Sequence, residues 1–431
     1  MLIYADDILI ISKGPFHITV RERLQKAVNA VAEWAQSIGF TISAEKSQLI
    51  HCCKLKRHKR KNLKSLMVND KIIKEVKSTK ILGVFLDRKL SFQKHIGYTK
   101  HGAANRIRIV KTIGGRSKIG NRKTLTTIGK SLVVSKLTYG IELYSRAEWK
   151  TLDKMAPNYN SIIRYASGAF RTSPIQSLLA EAGELPFRHI LVKCLSNRAI
   201  KFIEKNENIT TTLTRANAWL KELTKLEIPT IATIHRVAER DWNDPGPIID
   251  WSVKNALNAG ENKAKVQAIF HHRLNNVYHN HRHIYTDGSV AEDKVGIGIF
   301  SNNREVSLQL PSLCSIFSAE AAAIQHTAVS INDIDETVIF SDSASVLSAL
   351  EHGKSKHAFI QQIEETSTNK RISFCWIPGH SGIHGNEKAD TLANTGRQAE
   401  MWNTKLPAAD ALRFIDASLH FSYGQIRSSR L

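Results

Sequence analysis

WIPGHSGIHGNEKADTLA, residues 376–393, runs from the end of an apolar strand through a glycine- and histidine-rich loop into a helix that begins at Asn386. Upstream, HIYTDGSV, KVGIGIFSNN and EVSLQL follow one another as three strands of a meander. SAEAAAIQHTAVSI is an alanine-rich helix and ETVIFSDS a fourth strand. Helices are predicted near 343–352 and 357–368, ahead of the strand ISFCWIPG. Strand–strand–strand–helix–strand–helix–helix–strand–helix predicts an α/β domain over 284–400, a mixed five-stranded sheet packed by helices.

Four acids fall on these elements: Asp287 in the first strand, Glu320 in the first helix, Asp342 at the end of the fourth strand and Asp390 in the last helix. Any one alone is equally a helix cap or a surface residue. Inside an apolar strand, however, an acid is expensive to bury without a cation or partner. Four clustered carboxylates repel one another, and Mg²⁺, which prefers oxygen ligands, supplies the compensating charge.

TDGS (286–289), SAEAAA (318–323), SDS (341–343) and the 376–393 block resemble the four signature blocks of the type 1 ribonuclease H family, in the family's order. The resemblance implies that Asp287, Glu320, Asp342 and Asp390 hold two Mg²⁺ ions, for which Mn²⁺ can substitute. It implies that His380 is the family's mobile histidine, aiding proton transfer or product release. Ser289 and Asn386 match positions that touch the hybrid or steady the site. The implied activity is endonucleolytic cleavage of the RNA strand of an RNA–DNA hybrid. One departure is the interval EHGKSKHAFIQQIEETSTNK, which is short and nearly balanced in charge where cellular members often carry a basic protrusion.

Charge is distributed unevenly. The formal net charge is +22, but residues 1–150 hold 31 Lys and Arg against 10 Asp and Glu, a net +21. Residues 283–398 hold 8 against 14, a net −6. A polyanion footprint thus lies in the first third, which is expected to grip the hybrid for the nuclease. The densest run, Lys54 to Lys64, is either a solvated loop or a phosphate-contacting patch. Continued basic residues (Arg106, Arg108, Lys111, Arg116, Lys118, Arg122, Lys123) favour the second.

YADD at 4–7 resembles the catalytic hairpin of reverse transcriptases, which implies metal-binding roles for Asp6 and Asp7. GFTISAEKSQLI (39–50) resembles that family's next motif, with Lys46 as proton donor, and KILGVFLD (80–87) its primer grip. SGAFRTSPIQSLLAEAGELPFR (167–188) is similar to a segment of jockey-like non-LTR retrotransposon polyproteins, several of which place a ribonuclease H after the polymerase. The third polymerase carboxylate would precede Met1, so DNA synthesis by this chain is not expected.

The expected organisation is a truncated palm over 1–90, a mainly helical thumb or connection region over 91–270, a linker at 271–283, the nuclease over 284–400 and a tail at 401–431. A helix is predicted after YADD, with apolar residues from Val20 to Ala35 at three- and four-residue spacing, ended by Gly39. Hydrophobic content of 42% and charged content of 23% are those of a globular protein. No apolar run is long enough for a membrane span, and Asp6 and Asp7 interrupt any signal-like stretch. An intracellular setting is expected, cytoplasmic or nuclear, with no membrane and no obligate protein partner. The five cysteines show no zinc spacing; Cys52–Cys53 with His51 and His58 are better read as thiols than as a metal site, and the run His279, His281, His283 as solvated linker. Two competing readings are a decayed element that binds nucleic acid without cutting it, and an integrase- or transposase-type nuclease. The D–E–D–D order argues against the latter.

Overall fold

The computed structural model describes residues 1–52, 65–116, 121–207, 210–234, 246–332, 336–368 and 370–428. The basic run Lys54–Lys64, Cys53, His58 and Lys118 lie outside the described residues. The chain forms two compact units, 1–191 and 192–431.

In the first unit, Leu2–Tyr4 and Asp7–Leu9 form an antiparallel hairpin whose turn needs a left-handed Ala5 (φ 51°). The expected helix spans His17–Ser37, and Gly39 follows it at φ 82°. Its Leu24, Val28 and Ala32 pack on a small core of Ala44, Leu66, Val68 and Ile73. Gln48–Ile50 pairs in parallel with Lys74–Val76, Met67–Val68 and Lys71–Ile72 form a second hairpin, and Ser78–Ile81 and Val84–Asp87 a third. Asp87 then caps the long helix Gln93–Arg116, accepting from the Ser91 and Phe92 amides at 3.1 and 2.8 Å. The remainder is helical, as expected, around fully buried Leu137, Tyr144, Met155, Tyr159 and Ile163.

The second unit is built on one sheet, and its elements are numbered here from residue 248. Strands β1 (Ile248–Asp250), β2 (Arg282–Ala291), β3 (Lys294–Ser301), β4 (Arg304–Leu310), β5 (Thr337–Ser341) and β6 (Ile372–Trp376) lie in the order β4-β3-β2-β5-β6-β1. The β2–β3–β4 meander is antiparallel; β5, β6 and β1 add in parallel beyond β2. The helices are α1 (Ser252–Asn258), α2 (Lys263–Asn276), α3 (Ile316–Ser330), α4 (Ala344–His352), α5 (Ala358–Ser367), α6 (His384–Gly396) and α7 (Ala408–Ser428). The predicted element order over 284–400 is the observed one.

Three features depart from expectation. The sheet has six strands, since β1 pairs with β6 from far upstream; three residues are too few to show a period. The stretch expected as a linker is largely α2 and the start of β2. Phe270 and Tyr278 pack edge-on against Phe340 at 5.6 and 5.9 Å, burying one face of a segment whose other face is polar. The expected tail is helix α7, whose Ala411, Ile415 and Leu419, four residues apart, are fully buried.

A buried ionic cluster fixes β1 and α2 to this sheet. Asp250 accepts from the Ser252 amide and hydroxyl (2.9 and 2.6 Å), from Arg273 Nε (2.7 Å) and from the Tyr278 hydroxyl (2.9 Å). Burial pushes its carboxyl up, but Ser252, Tyr278 and Arg273 together outweigh that and hold it below the usual range. Arg273→Ala would strand a buried carboxylate and is expected to lower stability by about 3 kcal/mol, a drop of roughly 6–10 °C in Tm. Because Asp250's folded pKa is depressed, its contribution is present at neutral pH and lost as pH falls through that folded value. Thermal unfolding of the variant checks this; a change under about 2 °C would show the cluster to be incidental.

Helix α6 packs closely on β3. At Gly298 a Cβ would lie 2.1 Å from the Ala389 carbonyl oxygen and 2.3 Å from the Ala393 amide nitrogen. Only glycine permits helix backbone to lie on strand backbone here.

Candidate active site

Asp287 sits mid-strand in β2, opposite Gly298 of β3, and is buried. Beside it in parallel, β5 ends at Ser341, which delivers Asp342 at the strand's C-terminal end. Asp342 is fixed through its backbone, whose carbonyl accepts from Trp376 Nε1 at 2.9 Å. Glu320 enters from the first turns of α3, a helix capped by Ser315, whose hydroxyl accepts from the Ser318 amide at 3.2 Å. Carboxylate oxygens of Asp287, Glu320 and Asp342 all lie within 4.8 Å of one another. The structure thus brings together three of the four acids singled out in the sequence.

The fourth, Asp390 on α6, is half-buried and stands outside that cluster, but its charge helps to raise both Asp287 and Asp342. Its Oδ1 accepts from Asn394 Nδ2 at 2.9 Å, and Asn394 Oδ1 accepts from the Ser289 hydroxyl at 2.7 Å. Ser289 therefore reaches the site through Asn394, which sequence reasoning missed. Its one signal is the i+4 spacing from Asp390, which places both on one helix face. Asn386 is buried, and its Nδ2 donates to Asp342 Oδ2 at 3.4 Å. His380 is exposed in the loop after β6, in a left-handed conformation (φ 48°). When protonated it favours the ionised form of Asp342.

Burial, then the Asp342 charge, pushes the Asp287 carboxyl up to about 7. Burial and the Asp287 charge drive Glu320 well above the carboxylate range. Asp342 is raised too, chiefly by burial, against the Asn386 hydrogen bond. Glu320 Oε2 is buried with no hydrogen-bond partner. At Gly379 a Cβ would lie 2.7 Å from Asp342 Oδ2, so the backbone comes close to that carboxylate. Mutual repulsion, an orphaned carboxylate oxygen and an all-oxygen donor set fit a hard divalent cation.

The polymerase-like residues behave differently. Asp6 and Asp7 are exposed in the first hairpin, and Lys46 is exposed in a turn before residues 48–50. Among the described residues no third carboxylate gathers with Asp6 and Asp7. Nor does any described cluster of metal-ligating groups include His279, His281 and His283.

A mixed sheet that converges acids from β2, α3 and the end of β5 defines a domain of the ribonuclease H class. Residues 279–398 match the RNase H family model, and residues 1–86 match that of reverse transcriptase (RNA-dependent DNA polymerase). The chain thus carries a reverse-transcriptase segment followed by an RNase H domain, and its relatives include retrotransposon proteins, as the sequence motifs led us to expect. It is 28% identical over 167 residues to the RNA-directed DNA polymerase from mobile element jockey of Drosophila funebris, a match covering 38% of this chain and 18% of the relative. It is 25% identical over 211 residues to a retrovirus-related Pol polyprotein from the type-1 retrotransposable element R1 of Nasonia vitripennis, covering 46% of this chain and 59% of the relative. Ribonuclease H1 of Rattus norvegicus is 27% identical over 144 residues, covering 27% of this chain and 50% of the relative. The chain therefore spans about a fifth of the jockey protein's length. Among the described residues, no helix is long and apolar enough to cross a membrane.

Proposed function

We propose that this chain hydrolyses the RNA strand of RNA–DNA hybrids endonucleolytically, with Asp287, Glu320, Asp342 and Asp390 holding two Mg²⁺ ions. The observation that carries this reading is the convergence of three buried or half-buried carboxylates, one with an orphaned oxygen, from three separate elements. Bound there, two such ions would supply an activated water and charge stabilisation for an in-line phosphodiester displacement. The protein's part is to hold the carboxylates ready. Asn386 orients Asp342, and the Ser289–Asn394 pair orients Asp390. His380, exposed and near Asp342, is placed to aid proton transfer or product release. In this reading Ser289 and Asn386 contact the hybrid or steady the site.

The net −6 of residues 283–398 favours little phosphate neutralisation by the nuclease itself. The basic residues of 1–150 take that part, and hybrid binding should weaken steeply with salt. Among the described residues no third carboxylate joins Asp6 and Asp7, so primer extension is not expected. No obligate protein partner is proposed.

Labelled RNA–DNA hybrid, duplex DNA and duplex RNA, each with Mg²⁺ or EDTA, test the proposal. Cleavage confined to the hybrid and lost in EDTA is the expected result. Binding without cleavage would favour a nucleic-acid-binding remnant, and cutting of duplex DNA would sink both.

A further inference from the structure

The loop after β6 that carries His380 is pinned from outside the family-matched region. Helix α2 precedes residue 279 and is seated on the sheet by buried Val266 and Phe270. Between these two positions, Gln267 reaches the loop, where its Nε2 donates to the Ser381 carbonyl at 2.5 Å. The same nitrogen would lie 3.3 Å from a Cβ built on Gly382. Ser381 is buried, and its hydroxyl donates to the Pro378 carbonyl at 2.7 Å. The Gly382 amide donates to Glu387 Oε1 at 3.0 Å. Gly379 and His380 remain exposed, and two residues of the turn, His380 and Gly382, are left-handed.

Gly382 adopts its left-handed conformation freely, but a left-handed His380 is strained and holds its place only where neighbouring contacts over-determine the turn. Two of the pins come from the loop and from α6; the third comes from α2. We propose that Gln267 is a positioning residue for His380: by holding the Ser381 carbonyl, it limits where the adjacent imidazole can travel over the site. Helix α2 is therefore part of the nuclease's working apparatus. This inference rests on the reading of the site as a hybrid nuclease that uses His380.

Removing the donor leaves the buried Ser381 carbonyl without that partner and loosens the turn. In the full chain, Gln267→Leu is expected to slow single-turnover hybrid cleavage about tenfold, with KM changed less than about twofold. Gln267→Lys, which restores a donor, is expected to recover most of the rate. In a His380→Ala background, Gln267→Leu should have no further effect. Amide hydrogen exchange at 379–382 should speed about tenfold in Gln267→Leu, while 284–290 and 337–341 stay protected. An equal rate loss with and without His380, or unchanged exchange at 379–382, would overturn the proposal. If the wild-type chain cleaves no hybrid, the nuclease reading fails on its own. The exchange measurement then still decides whether Gln267 holds the loop.

Discussion

Asp287→Asn is expected to lower hybrid cleavage by about a thousandfold or more while making the metal-free protein more stable at neutral pH. The two effects have one cause. Burial and the Asp342 charge raise the Asp287 carboxyl from 3.8 to about 7. Between those values the folded protein binds more protons than the unfolded chain. Stability therefore falls as pH rises from about 4 to about 7, by about 4 kcal/mol at most, and returns as pH falls again. Asparagine has no charge to desolvate, so the variant should lack this decline. In EDTA at pH 7 its Tm should exceed that of the parent by roughly 5 °C. Added Mg²⁺ should raise the parent's Tm, because a bound ion stabilises the folded state by mass action, and raise the variant's far less. Thermal unfolding at pH 4 and pH 7, with and without Mg²⁺, checks all of this. A variant less stable than the parent at pH 7 in EDTA would show Asp287 to be structural.

Gly298→Ala should destabilise the second unit by more than about 4 kcal/mol, or roughly 10–15 °C in Tm. The added methyl would meet two backbone atoms of α6, the Ala389 carbonyl and the Ala393 amide, and neither can rotate away. Relief requires α6 to lift from β3. Since α6 carries Asn386, Asp390 and Asn394, the same shift would undo the hydrogen bonds that steady two of the four acids. Activity should fall even in whatever fraction still folds. A Tm within about 2 °C of the parent, measured in EDTA, would show that the interface yields more easily than its geometry implies.

The RNase H domain was legible because its acids lie in short blocks that also mark out its elements. TDGS, SAEAAA, SDS and the 376–393 block each carry a candidate metal-binding acid together with the change of period that places it on a strand or helix. Three of those acids meet within 4.8 Å, and the fourth is tied in through Asn394. What was not legible depends on tertiary pairing. Strand β1 has three residues, one of them the acid Asp250, and becomes a strand only by pairing with β6. Helix α2 reads as polar because His271, His272, Asn275 and Asn276 cover its outer surface, while Val266 and Phe270 alone mark the inner one. Helix α7 was passed over because its buried stripe of Ala411, Ile415 and Leu419 is narrow and begins with alanine. Gln267 belongs to no spacing rule; only three dimensions bring it to the site.

Strand β1 also bears on where this nuclease can be divided from the rest of the chain. The family match begins at residue 279, but β6 finds its outer neighbour at 248–250. A polypeptide started at the family boundary would leave Ser373, Phe374 and Cys375 with unpaired backbone groups along an open sheet edge, beside a Phe340 uncovered by the loss of Phe270. Such an edge is a template for pairing with other chains. The segment from 248 to 278 thus covers an edge that would otherwise stand open to pairing with other chains.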